Sequence, residues 1–330
     1  MGATYDSRKE DFNSMATLNI DQVTKRYGEL VAVDRVSFEA QPGRILGLLG
    51  PNGAGKTSTI RMIAYITIPD EGEIRFGGQL VGPKSQDQMG YLPEERGLYK
   101  KLKVGEQLRY FAELKSLPRA EANRRIGYWL DRFDLGDWAG KKTQELSKGM
   151  QQKLQFIATI LPEPRLIILD EPFSGLDPIN SELLRDIILE LKEEGRTILF
   201  ASHRMEQVEQ LCDDICLISQ GQILVKGPLR EVKRGFGRDA VVMEFEGDDA
   251  FLDVLAAQGL VRIIQRSHHR AELQLLDGTP ARRILEAALA HVEDLYRFQL
   301  TEPPLNEIFI RVVTEQQGRD VADRVALDVA

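Results

Sequence analysis

The chain has 330 residues, 42% of them hydrophobic, and a formal net charge of -8, which describes a globular protein with room for one large domain or two. No run approaches the roughly 18 uninterrupted apolar residues of a membrane span, and the polar opening MGATYDSRKEDFNSMATLN lacks the apolar block of a signal peptide. The acidic balance weakens attraction to nucleic acid and anionic lipid, so no nucleic-acid partner is expected.

Residues 1–16 read as a flexible extension: Met-Gly opens the chain, but Asp6 stands where a myristoylation signal needs Ser or Thr, and Met15 offers an internal start. Residues 18–24 and 31–39 alternate apolar and polar side chains like paired strands, and RILGLLG (44–50) is a buried-strand run. It ends in GPNGAGKTS. There Gly50, Gly55, Lys56 and Thr57 fit G-x-x-x-x-G-K-[ST], with Pro51, Asn52, Gly53 and Ala54 inside the loop and Ser58 behind it. Glycines let backbone N–H groups turn toward phosphates, the following helix adds its positive end, Lys56 reaches the outer phosphates and Thr57 ligates Mg2+.

Residues 104–160 read as mostly helical, through VGEQLRYFAELKSL, EANRRIGYWLDRFDL and a run from Ser147 to Leu161. Two further apolar strands, RLIILDEP and RTILFASH, are separated by helix-length segments, which argues for a parallel sheet covered by helices. Asp170 and Glu171 fall at the carboxyl edge of the first. Such a pair can hold Mg2+ and orient an attacking water; it is also a common helix-capping pattern. Cys212 and Cys216 are four apart, a spacing that could share one helical face, and read as inert thiols because nothing nearby completes a metal site.

After Gly227-Pro228 the rhythm changes. Strand 240–246, helix 249–258, hairpin 260–266 and 270–276, helix 279–291 and strand 293–299 give the order βαββαβ, a ferredoxin-like appendage over 235–313 with His268 and His269 at the hairpin tip. Residues 314–330 read as a loosely held tail.

Five motifs in order, GPNGAGKTS, LSKGMQQK, LIILDEP, FSGLDP and the SH of residues 202–203, resemble the ATP-binding-cassette (ABC) ATPases over residues 18 to about 230. The resemblance implies an α/β P-loop NTPase core over 17–232 with a helical subdomain near 104–160, and ATP and Mg2+ as ligands. It implies that Tyr27 stacks on adenine, that Asp170 is the magnesium aspartate, Glu171 the catalytic glutamate and His203 the histidine at the outermost phosphate. Ser147 and Gly149 match the signature that binds ATP held by a second copy, with Asp177 near that copy's phosphate loop. A plain strand aromatic is the alternative for Tyr27.

A finer combination, YLPEERGLY, ELSKGMQQK, EPFSGLDP, SHRMEQVEQLCD and EPPLNEIFIRVV, looks like the ATP-binding subunits of bacterial ABC-2 type exporters, the group that includes sodium-extrusion systems. This implies a separate transmembrane permease and a place on the cytoplasmic side of the cell membrane. A soluble ATPase acting on ribosomes or DNA is the alternative; such relatives usually carry two cassettes or an inserted coiled coil, and this chain has neither. Family geometry puts a permease helix in a groove edged by Arg96, Leu98, Tyr99 and Leu102, although Leu98 and Tyr99 could equally tuck into the helical subdomain.

Three positions depart from the family pattern. Lys148 and Met150 replace a glycine and a glutamine of the signature, and Glu94 stands where most members carry a glutamine whose side chain reaches Mg2+ and the attacking water. Glu94 is expected to serve the metal and to pair with Arg96 in its absence, or else to point to solvent.

Overall fold

The computed structural model describes residues 17–95, 97–237, 240–276 and 278–317; the extension expected over 1–16, Arg96 and residues 318–330 lie outside them. The chain divides into two compact units after Pro228.

In the first unit β1 (Leu18–Tyr27) and β2 (Leu30–Ala40) pair antiparallel. β3 (Ile45–Leu49), buried at every residue, runs into the glycine-rich loop and helix α1 (Lys56–Ile63). β4 (Glu71–Phe76) and β5 (Gln79–Leu80) extend the first sheet to β2-β1-β4-β5. β6 (Met89–Leu92), β7 (Leu166–Asp170), β8 (Thr197–Ser202), β9 (Asp214–Ser219) and β10 (Gln222–Pro228) join β3 in the second, ordered β10-β9-β3-β8-β7-β6. Its strands pair in parallel except for β10 on β9. One core joins Leu18, Phe38 and Ile74 of the first sheet to Leu48, Ile168 and Leu199 of the second and to Ile60 of α1. Sandwiched from both faces, the parallel strands are apolar throughout rather than alternating.

The segment 104–160 contains α2 (Val104–Leu114), α3 (Arg119–Arg132) and α4 (Lys148–Ile160). α5 (Pro178–Glu193) and α6 (Met205–Leu211) follow, and α7 (Leu229–Gly235) opens the second unit. Cys212 and Cys216 do not share a helical face. Cys212 terminates α6, while Cys216 lies in β9, between the β-branched Ile215 and Ile218 in a strand buried from Ile215 to Ser219. Both thiols are buried and free, and burial pushes Cys216 up to about 12.

The second unit contains β11 (Ala240–Gly247), α8 (Phe251–Ala257), β12 (Val261–Ser267), β13 (Arg270–Leu275), α9 (Ala281–His291), β14 (Val292–Thr301) and α10 (Leu305–Gln317). The strands are antiparallel in the order β12-β13-β11-β14, a ferredoxin-like arrangement. Val241, Met243 and Phe245, alternate residues of β11, share a core with Phe251 and Leu252 of α8 and Ile284 of α9. His268 and His269 occupy the turn between β12 and β13. α10 continues through Gln317, past the expected start of the tail at 314, because no helix breaker interrupts TEQQ and Thr314 Oγ1 donates back to Ile310 O.

Candidate functional site

The carboxyl ends of β3, β8, β7 and β6 lie side by side, and in an open α/β sheet that edge is where ligands bind. At the end of β3 the chain turns with positive φ at Gly50, Gly53 and Gly55. A Cβ on Gly50 would stand 2.1 Å from Ile218 O, and one on Gly55 would stand 2.5 Å from Ala32 O, so side chains are excluded at both positions. Lys56 is 8% exposed and donates to Gly50 O (2.6 Å) and Pro51 O (3.0 Å). Burial lowers its pKa, and the carboxylates of Glu171, Asp170 and Glu94 oppose that shift. A loop of turned amides around a partly desolvated ammonium can hold a polyphosphate.

Asp170 closes β7 and is 3% exposed. Burial, aided by Glu171 and Glu94 and opposed by Lys56 and Arg61, pushes its carboxyl up to about 6. Glu171 follows in the left-handed region at φ 50, a strained conformation for a residue before proline. Several bonds hold it there. Its N–H donates to Ala201 O (3.0 Å), and its carbonyl accepts from Ser174 N (3.1 Å). Its Oε1 accepts from His203 N (2.7 Å) and lies 2.7 Å from His203 Nδ1, while Oε2 accepts from Ser202 Oγ (3.1 Å). The acid pair is therefore not a helix cap.

A cleft of about 250 Å3 is lined by Tyr27, Asn52, Gly53, Ala54, Gly55, Lys56, Thr57, Ser58, Glu94, Asp170, Glu171 and His203, together with Leu30 and Ala32. Gly50 and Pro51 stand behind it, supplying the carbonyls that hold Lys56. Ser147, Gly149 and Asp177 are not part of its wall. Ser147 caps α4, its Oγ accepting from Met150 N (3.2 Å), and Lys148 beside it is exposed. Asp177 caps α5, accepting from Asn180 N (2.9 Å), which holds its carboxyl below the usual carboxylate range.

Glu94 is exposed, and it borders both this cleft and an adjoining one of about 620 Å3 that also contains Thr57, Arg61, Tyr91, Glu95 and Asp170. Two cations among the described residues share these clefts with it: Lys56 in the first, whose pKa Glu94 helps to raise, and Arg61, one helical turn beyond Thr57, in the second. Only three-dimensional proximity marks Arg61 and Leu30, since neither belongs to a recognisable motif.

A third, largely apolar groove of about 370 Å3 runs between the core and the helical segment, with Ile66, Tyr91, Leu98, Phe111, Leu114 and Gln155 in its wall. Leu98 faces it. Tyr99 instead packs on Tyr110 (5.8 Å between rings) and Phe111 (6.2 Å), its N–H donating to Gln107 Oε1 (2.7 Å). Leu102 spends its carbonyl on Thr143 Oγ1 (3.1 Å).

Among the described residues no three His, Cys, Asp or Glu side chains gather as a metal site. The hard oxygen donors of Thr57, Asp170 and Glu94 nevertheless fit Mg2+, which is commonly held by one or two carboxylates together with substrate phosphates.

Residues 33–174 match the family described as ABC transporter, and residues 227–313 match the C-terminal domain of the DrrA1-3-like ATP-binding proteins. The chain is 44% identical over 296 residues to the uncharacterized ABC transporter ATP-binding protein YhaQ of Bacillus subtilis, covering 90% of this chain and 98% of that one. The chain belongs to the ABC transporter ATP-binding proteins. It is also 32% identical to the linearmycin resistance ATP-binding protein LnrL of Bacillus subtilis, over 93% of this chain and 100% of that one. A solved structure of an ATP binding subunit of an ABC transporter superposes with a TM-score of 0.64 at 34% identity, covering 67% of this chain and 94% of that one. The first unit is thus an ABC ATPase domain of the P-loop NTPase fold, a domain type that binds ATP, generally with Mg2+. No helix among the described residues is long and apolar enough to cross a membrane.

Proposed function

We propose that the chain is the ATP-hydrolysing subunit of an ABC-2 type exporter, in which two copies close around ATP and drive a separate transmembrane permease from the cytoplasmic face of the membrane. The observation that carries this reading is the division of the site. Lys56, Asp170, Glu171 and His203 share one cleft, while Ser147 and Gly149, at the amino end of α4, lie outside it. A helix amino terminus with a hydroxyl and free N–H groups is a good anion site, and in a two-fold pair each copy could complete the other's cleft.

Within one cleft, Tyr27 stacks on the base and the loop from Gly50 to Ser58 holds the phosphates. Thr57, Asp170 and Glu94 hold Mg2+, which when bound neutralises phosphate charge. Glu171 orients the attacking water and accepts its proton. His203 fixes the Glu171 carboxylate and faces the outermost phosphate. Asp177 contacts the partner's phosphate loop. The apolar groove takes the permease, and the second unit serves as a docking or regulatory module.

Glu171→Gln keeps the shape of the site and removes the base. Sedimentation of this variant with ATP and Mg2+ is expected to show a dimer that reverts to monomer when nucleotide is removed; a chain that stays monomeric under saturating ATP overturns the closure.

A further inference from the structure

Two glutamines one turn apart on α4 reach two different loops of the candidate site. Gln152, 3% exposed, donates from Nε2 to Pro172 O (2.9 Å), the carbonyl next after Glu171. Gln155, 5% exposed, donates from Nε2 to Pro93 O (3.0 Å) and Glu95 O (3.3 Å), the carbonyls on either side of Glu94. The spacing i, i+3 puts both on one helix face. Carbonyls only accept, so the amide nitrogen of each glutamine must face them. Gln155 Oε1 is then left buried without a hydrogen-bond partner. Burying an unpaired acceptor is costly, and an apolar residue would pack there at lower cost. What the amide adds is the grip on the Glu94 loop.

We infer that Gln152 and Gln155 are positioning residues, a clamp through which α4 sets the placement of Glu171 and Glu94 in the same chain's cleft. Neither needs to touch substrate. The helix they ride begins at Ser147 and Gly149, and Gln155 also lines the apolar groove. Displacement of α4 from its amino end, or pressure on the groove wall, is thereby delivered to two carboxylates of one cleft. The inference rests on the proposed ATPase reading for its consequence, while the clamp itself can be read in the nucleotide-free chain.

Gln155→Met preserves bulk and removes the donor. In the full-length chain without nucleotide, the amide order parameters of Glu94 and Glu95 are expected to fall from about 0.85 toward 0.6, with Ser174 unchanged; Gln152→Met should do the converse. Unchanged order parameters at both loops overturn the clamp, whether or not the chain hydrolyses ATP. In the ATPase assay Gln155→Met is expected to lower turnover roughly tenfold with the KM for ATP within about twofold. Combined with Glu94→Gln it should cost less than about twofold more, because the group it positions is already altered. A loss that multiplies undiminished in the double variant overturns the route through Glu94. Binding of a fluorescent ATP analogue in EDTA should not change, which separates positioning from general damage. Gln155→Asn, whose amide is one methylene short, is expected to behave like Gln155→Met and replaces it if that variant does not fold.

Discussion

The Oε1 oxygen of Glu171 stands 2.7 Å from both the backbone nitrogen and the Nδ1 ring nitrogen of His203. Two groups of one residue, just past the end of β8, thus hold a carboxylate whose own backbone is left-handed. His203→Ala keeps the backbone bond and loses the ring. Single-turnover ATP hydrolysis is expected to slow roughly 10- to 100-fold, less than the roughly 10²- to 10⁴-fold expected for Glu171→Gln, with ATP affinity within a few-fold in both. Equal losses in the two variants would mean that the ring, not the backbone, does the holding.

Asp170 carries a conflict between stability and function. Its carboxyl titrates near 6 in the folded chain, against an ordinary value of 3.8, so between those values the folded state keeps a proton that the unfolded state has released. The contribution is fully present below the ordinary value and lost as pH rises through about 6, which costs the metal-free chain on the order of 3 kcal/mol at pH 7.5. Asp170→Asn removes the charge. Without nucleotide and in EDTA its unfolding midpoint at pH 7.5 should exceed that of the unmodified chain, and the gap should shrink at pH 5. With ATP, Mg2+-dependent hydrolysis should be lost.

Glu94 adds a negative charge beside Asp170 and Thr57. Glu94→Gln should raise the Mg2+ concentration needed for half-maximal hydrolysis and leave ATP binding in EDTA within about twofold, since the lost interaction is with the metal rather than with the phosphate loop. Unchanged Mg2+ dependence would remove Glu94 from the metal site.

Gly55→Ala places a methyl group 2.5 Å from Ala32 O at a φ of 106°. The loop must move. Isothermal titration is expected to show ATP affinity reduced by at least about tenfold, with an added stability loss of roughly 1–3 kcal/mol from backbone strain. Gly53→Ala, where no atom lies within 4 Å of the added carbon but φ is also positive, should be milder in both measures.

The sequence by itself fixes the features that are local in the chain. The phosphate loop is legible because its glycines, lysine and threonine are contiguous and its backbone turns within one motif. The βαββαβ order of the second unit is legible because binary patterning is strong there: Val241, Met243 and Phe245 alternate, and Ile284 and Ala288 fall one helical turn apart on the core side. β4 is hard to see for the opposite reason, since EGEIRF buries only two of its six residues.

Only the tertiary structure decides which loops meet. β3, β8, β7 and β6 are neighbours in the sheet in an order unlike their order in the chain, and that crossover brings Lys56, His203, Glu171 and Glu94 to one cleft. The same packing sends Tyr99 onto Tyr110 while leaving Leu98 in the groove, separates Cys212 from Cys216, and turns Gln155 toward Pro93 and Glu95 about sixty residues earlier in the chain. No local period records these pairings. A buried glutamine and a buried leucine occupy the same helical face, and what distinguishes them is whether a carbonyl from a distant loop arrives opposite the side chain, a choice made by how strands and helices stack rather than by neighbours in sequence.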